Sequence, residues 1–117
     1  SRGLGDVYKR QALRYAQAWN AVVVLKGART VVAAPDGRVR VNPTGNPGLS
    51  RGGSGDVLAG MTAALLACRL PAYEAAACAV YLHGAAADRA AAVHGEYGML
   101  PHDILPELGR MFAEHQR

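Results

Sequence analysis

At 117 residues the chain is long enough for one small domain and too short for two. Half of it is hydrophobic and only 6% is aromatic, which predicts a core of closely approaching helices and strands without large aromatic anchors. A formal charge of +4 comes with no Lys/Arg-rich run, and no apolar run reaches the roughly 18 residues of a membrane span, so no nucleic acid and no membrane partner is expected.

The basic excess lies at the front. Residues 1–29 hold six Lys/Arg against one acid, Asp6, whereas residues 61–117 hold four against six. A basic front half suits a phosphorylated small molecule or an absent partner segment. Cys68 and Cys78 lie in alanine-rich helical stretches and form no C-x-x-C pair, so they read as buried free thiols of a reducing cytoplasm. No charged-then-apolar leader opens the chain, and a cytoplasmic location is the expectation.

Residues 1–10 follow no usable pattern and are expected to stand outside the fold. Leu13, Ala16 and Trp19 recur at helical spacing and predict a helix over 11–19, with Asn20 as its stop. The valine-rich run 21–25 predicts a strand buried on both faces. A second strand follows at 30–34, a turn at Pro35-Asp36-Gly37, and a third strand at 38–41 whose alternation gives it one solvated face. Residues 42–55 are dense in loop formers, and a loop of that length inside a small domain is usually functional. It runs into an apolar helix at 56–68, expected to be buried on every side. A long alanine-rich helix covers 72–93, with Gly84 as a candidate break and Gly95 and Gly98 as its end. A short final helix opens at His102 or Asp103 and is interrupted at Pro106. So few strands cannot close an α/β sheet, which points to a missing N-terminal part.

The most informative stretch is Gly52-Gly53-Ser54-Gly55-Asp56, at the mouth of the apolar helix. The first amides of a helix lack intrahelical partners, and the helix dipole puts partial positive charge there. Glycines let those amides approach a phosphate closely. An aspartate beside such an anion site can act as general base toward a hydroxyl, and stabilising a transferring phosphoryl group is the main work of phosphoryl-transfer enzymes. Other phosphate and nucleophile patterns fail: no lysine follows the glycines as a P-loop requires, a G-x-G-x-x-G from Gly53 ends on Leu58, and a G-x-S-x-G from Gly52 ends on Asp56. Spacing alone leaves a plainer alternative, in which Asp56 caps the helix and the glycines only turn the chain.

Asn42-Pro43-Thr44-Gly45-Asn46-Pro47-Gly48 followed by Gly52-Gly53-Ser54-Gly55-Asp56-Val57-Leu58-Ala59-Gly60 resembles the hallmark region of the ADP/ATP-dependent NAD(P)H-hydrate dehydratases. Lys26-Gly27-Ala28-Arg29-Thr30 resembles that family's K-G-x-x-T segment, and Tyr81-Leu82-His83-Gly84 and Tyr97-Gly98-Met99-Leu100 fit as well. The resemblance covers about residues 11–113, leaving 1–10 as a non-family leader and 11–117 as the C-terminal portion of a ribokinase-like dehydratase domain. It implies a fold class of α/β, a ribokinase-like α/β/α sandwich present as its C-terminal part. It implies a hydro-lyase that repairs hydrated NADH or NADPH at the expense of ADP or ATP, with Mg2+ accompanying the nucleotide phosphates. Carried over by position, Lys26, Gly27, Ala28, Arg29 and Thr30 meet the nucleotide and Gly55 meets its phosphates. Gly52, Gly53 and Ser54 complete the anion cradle. Asp56 is the catalytic base and contacts the hydrated nucleotide. The family domain is about twice this length, so the substrate pocket is expected to be incomplete, and Ser50-Arg51 depart from its usual small residues. Homo-oligomers are common in the family.

Asn46 is a candidate substrate contact or a turn cap, and the residues do not choose between them. His83, Asp88 and His94 invite a metal reading, but His83 and His94 lie about 16 Å apart along a helix and cannot share one ion, so no metal ligands are assigned. The nearest rival function is a ribokinase-like kinase of a sugar or vitamin precursor; another is a non-catalytic binding fragment. Lys26–Thr30 and the 42–48 run favour the dehydratase.

Overall fold

A computed structural model of the chain describes residues 2–27, 29–50 and 53–115. In chain order these form helix α1 (Arg2–Trp19), strands β1 (Val23–Leu25), β2 (Val31–Ala33) and β3 (Val39–Val41), then helices α2 (Ser54–Ala67), α3 (Ala72–His94) and α4 (Ile104–His115).

The sheet is antiparallel in the order β1-β2-β3, with Val31 opposite both Leu25 and Val41. Side chains alternate across a strand, and β2 divides accordingly. Val31 and Ala33 pack with Ala12 and Ala16 of α1, while Val32 packs with Ala76 and Val80 of α3. Three layers result, helix on sheet on helix. The small alanines let α1 and α3 lie close to the strands, so a core with few aromatics suffices. β2 is buried throughout, but β1 is only half-buried, short of the expected two-sided burial. β1 and β3 are the outer strands of this sheet, and β3 turns Arg40 to solvent as its alternation predicts.

The helix expected over 11–19 begins at Arg2. Tyr8, Ala12 and Ala16 form one i, i+4 stripe against the sheet, so part of the stretch 1–10 is helical and in contact with the core. Trp19 is 65% exposed and stacks on Tyr15 at 5.0 Å, so it is not a core residue. Asn20, at φ 49°, ends the helix as expected.

α3 runs without a break through Gly84. A Cβ there would collide with the Thr44 hydroxyl and come within 2.8 Å of its carbonyl carbon, so this glycine serves a close approach. Pro106 does not interrupt α4. It falls in the first turn, where its missing N–H forfeits no intrahelical bond. The second core lies between α3 and α4, around Ala86, Ala87, Ala90, Met99, Ile104 and Leu108.

α2 departs furthest from expectation. Its only buried residue is Ser54, and Leu66 is 46% exposed. Val57, Leu58 and Met61 pack inward, but the opposite side faces solvent. An apolar sequence demands a neighbour on each face, and this chain supplies one. Cys68, expected to be buried, is exposed, and Cys78 is half-buried. No helix among the described residues is long and apolar enough to cross a membrane.

Candidate functional site

The segment after β1, the loop after β3, the first turn of α2 and the middle of α3 enclose a cleft of about 800 Å³. It brings together much of what the sequence singles out. Lys26, Gly27, Arg29, Thr30, Asn46 and Ser54 all line it.

The loop wall is built from α3. Asn42, 5% exposed, donates through Nδ2 to the Val80 carbonyl at 3.3 Å and to the Thr44 hydroxyl at 2.9 Å. The Thr44 hydroxyl donates to the Tyr81 carbonyl at 2.9 Å. Asp88, two turns further along the helix, accepts from the Gly45 amide at 3.1 Å and from Asn46 Nδ2 at 2.9 Å. Asn46 Oδ1 in turn accepts from the Gly48 amide. Both ends of the Asn46 amide are therefore engaged within the protein while the residue lines the cleft. The loop is not structureless either, because Pro47–Ser50 forms a 3-10 turn. Gly48 sits where a Cβ would meet the Glu96 carbonyl oxygen at 2.5 Å.

The opposing wall is the mouth of α2. Its capping residue Gly53 has φ 97°, a left-handed conformation that favours glycine, and no side chain caps the helix. The first turn is thus left without a capping side chain among the described residues. Lys26 reaches this turn: a Cβ on Gly55 would lie 3.2 Å from Lys26 Nζ. A cation and a helix N-terminus converge there, which is an anion-binding arrangement. Arg29 extends along the loop and donates to the Pro43 carbonyl at 3.2 Å. The Thr30 carbonyl accepts the Asn42 amide and ties the two segments together.

Asp56 lies in the first turn of α2 and is exposed. It is not among the residues lining the cleft, so its carboxylate stands outside that wall. Gly53 and Gly55, expected at the phosphates, are not among the lining residues either; a Cβ on Gly53 would meet the Pro101 ring, and one on Gly55 the Lys26 ammonium. Ala28 and Gly52, two of the expected nucleotide contacts, lie outside the described residues, as does Arg51.

Two buried residues that line the cleft each keep one polar atom unpaired among the described residues. Ser54 is 2% exposed and His83 5%, and neither Ser54 Oγ nor His83 Nε2 has a hydrogen-bond partner among the described residues. Burial holds the His83 imidazole below its ordinary pKa, the nearby Lys26 charge adds to that, and a hydrogen bond to the Ser54 backbone works the other way. The ring is accordingly neutral at neutral pH. Sequence reasoning weighed His83 and Asp88 as metal ligands, set that reading aside, and gave them, Asn42 and Thr44 no individual role in a site. The available signal was polarity out of place: His83 and Asp88 are single polar residues one to two turns apart in an alanine-rich helix.

Comparison with known proteins gives concordant results. A family model described as NAD(P)H-hydrate dehydratase matches residues 4–110. The chain is 54% identical over 94 residues to the bifunctional NAD(P)H-hydrate repair enzyme Nnr of Moorella thermoacetica, covering 80% of this chain and 18% of that protein. It is 42% identical over 116 residues to the ADP-dependent (S)-NAD(P)H-hydrate dehydratase of Bacillus subtilis, covering 93% of this chain and 42% of that one. The crystal structure of the Bacillus subtilis ADP/ATP-dependent enzyme co-crystallized with ATP/Mg2+ superposes with a TM-score of 0.87 at 39% identity, over 95% of this chain and 40% of that chain. A ribokinase-like superfamily protein of Enterococcus faecalis superposes with a TM-score of 0.77 at 36% identity, over 87% of this chain and 35% of that one. The fold is therefore ribokinase-like, and the chain spans less than half the length of these relatives.

Proposed function

The chain belongs to the NAD(P)H-hydrate dehydratase family, and from that premise we propose that the protein it represents removes water from hydrated NADH or NADPH at the expense of ADP or ATP. The observation that carries this reading is the convergence of Lys26 on the first turn of α2 at Gly55, with Lys26 lining the cleft beside Arg29, Thr30 and Ser54. Such a site fits the terminal phosphates of a nucleotide. Magnesium fits as an ion arriving with those phosphates. The nucleotide supplies a phosphoryl group that turns the ring hydroxyl of the substrate into a leaving group.

The chain's own residues have distinct tasks. Lys26 and the α2 amides hold negative charge at the cleft wall and stabilise its build-up during transfer. Gly55 leaves room for the Lys26 ammonium at that turn, since a Cβ there would lie 3.2 Å from Nζ. Asp56 takes the proton of the ring hydroxyl as the oxygen bonds to phosphorus. Its exposed position in the first turn leaves it accessible to a substrate that approaches from outside the phosphate cleft. The same reading places the protein in the cytoplasm, where Cys68 and Cys78 remain free thiols.

The test uses the full-length protein with hydrated NADH and ADP. Recovery of the reduced cofactor's absorbance is expected, together with AMP and phosphate in equal amounts. Asp56→Asn should lower kcat by about two orders of magnitude or more with ADP affinity retained. An Asp56→Asn variant with undiminished kcat refutes the base assignment. Phosphorylation of an alcohol with no recovery of absorbance refutes the dehydratase reading.

A further inference from the structure

We propose that His83 and Ser54 form a two-point subsite that receives a hydroxyl group of the bound ligand. The inference rests on the cleft's being the ligand site and deepens that reading.

Both side chains are more than nine-tenths buried. Both carry a buried polar atom without a hydrogen-bond partner among the described residues, and both line the same cleft. Buried polar groups are almost always hydrogen-bonded, so two unmatched ones in residues that line one cleft point to a missing partner. They come from different elements, α2 and α3, and are joined through the Ser54 backbone. The subsite is therefore held by the packing of the two helices rather than by a mobile loop.

The chemistry selects the ligand group. A serine hydroxyl donates one proton and accepts others, and the free nitrogen of a neutral imidazole does one or the other. Only a group that both donates and accepts can satisfy the pair in either arrangement, and an alcohol hydroxyl does so. A phosphate oxyanion accepts only and is better served by Lys26 and the α2 amides. The cleft thus divides into a charged end, for phosphate, and a neutral hydrogen-bonding pair, for hydroxyl. Two ligands of the proposed reaction carry hydroxyls, the ribose of the adenine nucleotide and the hydrated dinucleotide.

The experiment separates these sources in the full-length protein with Ser54→Ala, His83→Phe and His83→Gln. Calorimetry measures ADP, 2′-deoxy-ADP and 3′-deoxy-ADP; steady-state kinetics measures KM and kcat for hydrated NADH. If the nucleotide ribose fills the subsite, the wild type binds one deoxy analogue about tenfold more weakly than ADP, and Ser54→Ala and His83→Phe abolish that difference. If the hydrated dinucleotide fills it, ADP binding is unchanged and KM for the hydrate rises about tenfold in both variants. His83→Gln keeps a hydrogen-bonding group and should recover part of either loss, which a purely structural role for the ring would not predict. Should His83→Phe not fold, Ser54→Ala decides alone, since it removes one oxygen and leaves the helix intact. Unchanged ADP affinity, analogue discrimination and hydrate KM in variants of wild-type melting temperature overturn the subsite. A wild type that converts no hydrate refutes the dehydratase reading, and the ADP arm then tests the subsite alone. A wild type that binds neither ligand overturns both.

Discussion

The two walls of the cleft treat their polar groups in opposite ways. On the loop wall Asn42, Thr44, Asn46 and Asp88 are bonded to one another or to the α3 backbone. At the mouth of α2, Ser54 and His83 are as deeply buried as Asn42, yet each keeps an unmatched atom. The difference separates two jobs that share one surface. Groups bonded inside the protein fix its shape, and their loss should be read in stability. Groups left unmatched await a ligand, and their loss should be read in binding.

The hardest test of the loop wall is Gly84→Ala. The added methyl would meet Thr44 within 2.8 Å at backbone as well as side-chain atoms, so α3 and the loop must separate. A loss of about 3 kcal/mol is expected, at the upper end for overpacking, measured by urea denaturation. ADP affinity should fall with it, because the loop that separates also lines the cleft. A loss below about 1 kcal/mol would mean that α3 does not clamp the loop.

Asn42→Ala probes the same wall through hydrogen bonds alone. Asn42 Nδ2 serves the Val80 carbonyl and Thr44 together, and removing it leaves a buried carbonyl without that donor. The expected cost is about 2 kcal/mol. Paired with Ser54→Ala, it sharpens the contrast. Ser54→Ala removes a buried hydroxyl that has no partner, so its effect on ligand-free stability should be near zero or slightly favourable. Equal destabilisation by the two substitutions would erase the distinction between the walls.

The same contrast explains what the sequence made legible. The three strands, the helix boundaries at Asn20 and Gly95 and the glycine-led start of α2 follow from local chemistry, because turn formers and runs of valine act on their own neighbours. What depended on a distant partner was misread. Gly84 looked like a helix break because Thr44, forty residues upstream, is not visible from its surroundings. Asn46 left open two roles; its Oδ1 caps the turn by accepting from the Gly48 amide, the local one of the two, whereas its bond to Asp88 joins residues that no pattern connects. α2 read as buried on all sides because hydropathy records the need for a neighbour and not its presence. The start of α1 was lost because Gly3 and Gly5 obscured a stripe that Tyr8 continues. The site fared in the same way. Lys26 was singled out by its order along the chain and lines the cleft, whereas the unmatched state of His83 is a property of packing.

The smallest effect concerns His83 itself and has a definite sign. Burial and the Lys26 charge lower its pKa from the ordinary 6.5, so the unfolded chain takes up a proton at a pH where the folded one still refuses it. Between the lowered value and 6.5 the unfolded state binds more protons, and stability falls as the pH drops through that window, levelling once the folded ring is protonated. His83→Gln removes this contribution and leaves those of the other titrating groups. Urea midpoints at roughly pH 7.5 and roughly pH 5 should therefore differ more for the wild type than for the variant. An equal shift in the two proteins would mean that the ring is as easily protonated in the fold as in water. A charged imidazole beside Ser54 could not complete a neutral pair with it, and the division of the cleft into a charged end and a neutral hydrogen-bonding pair would fall.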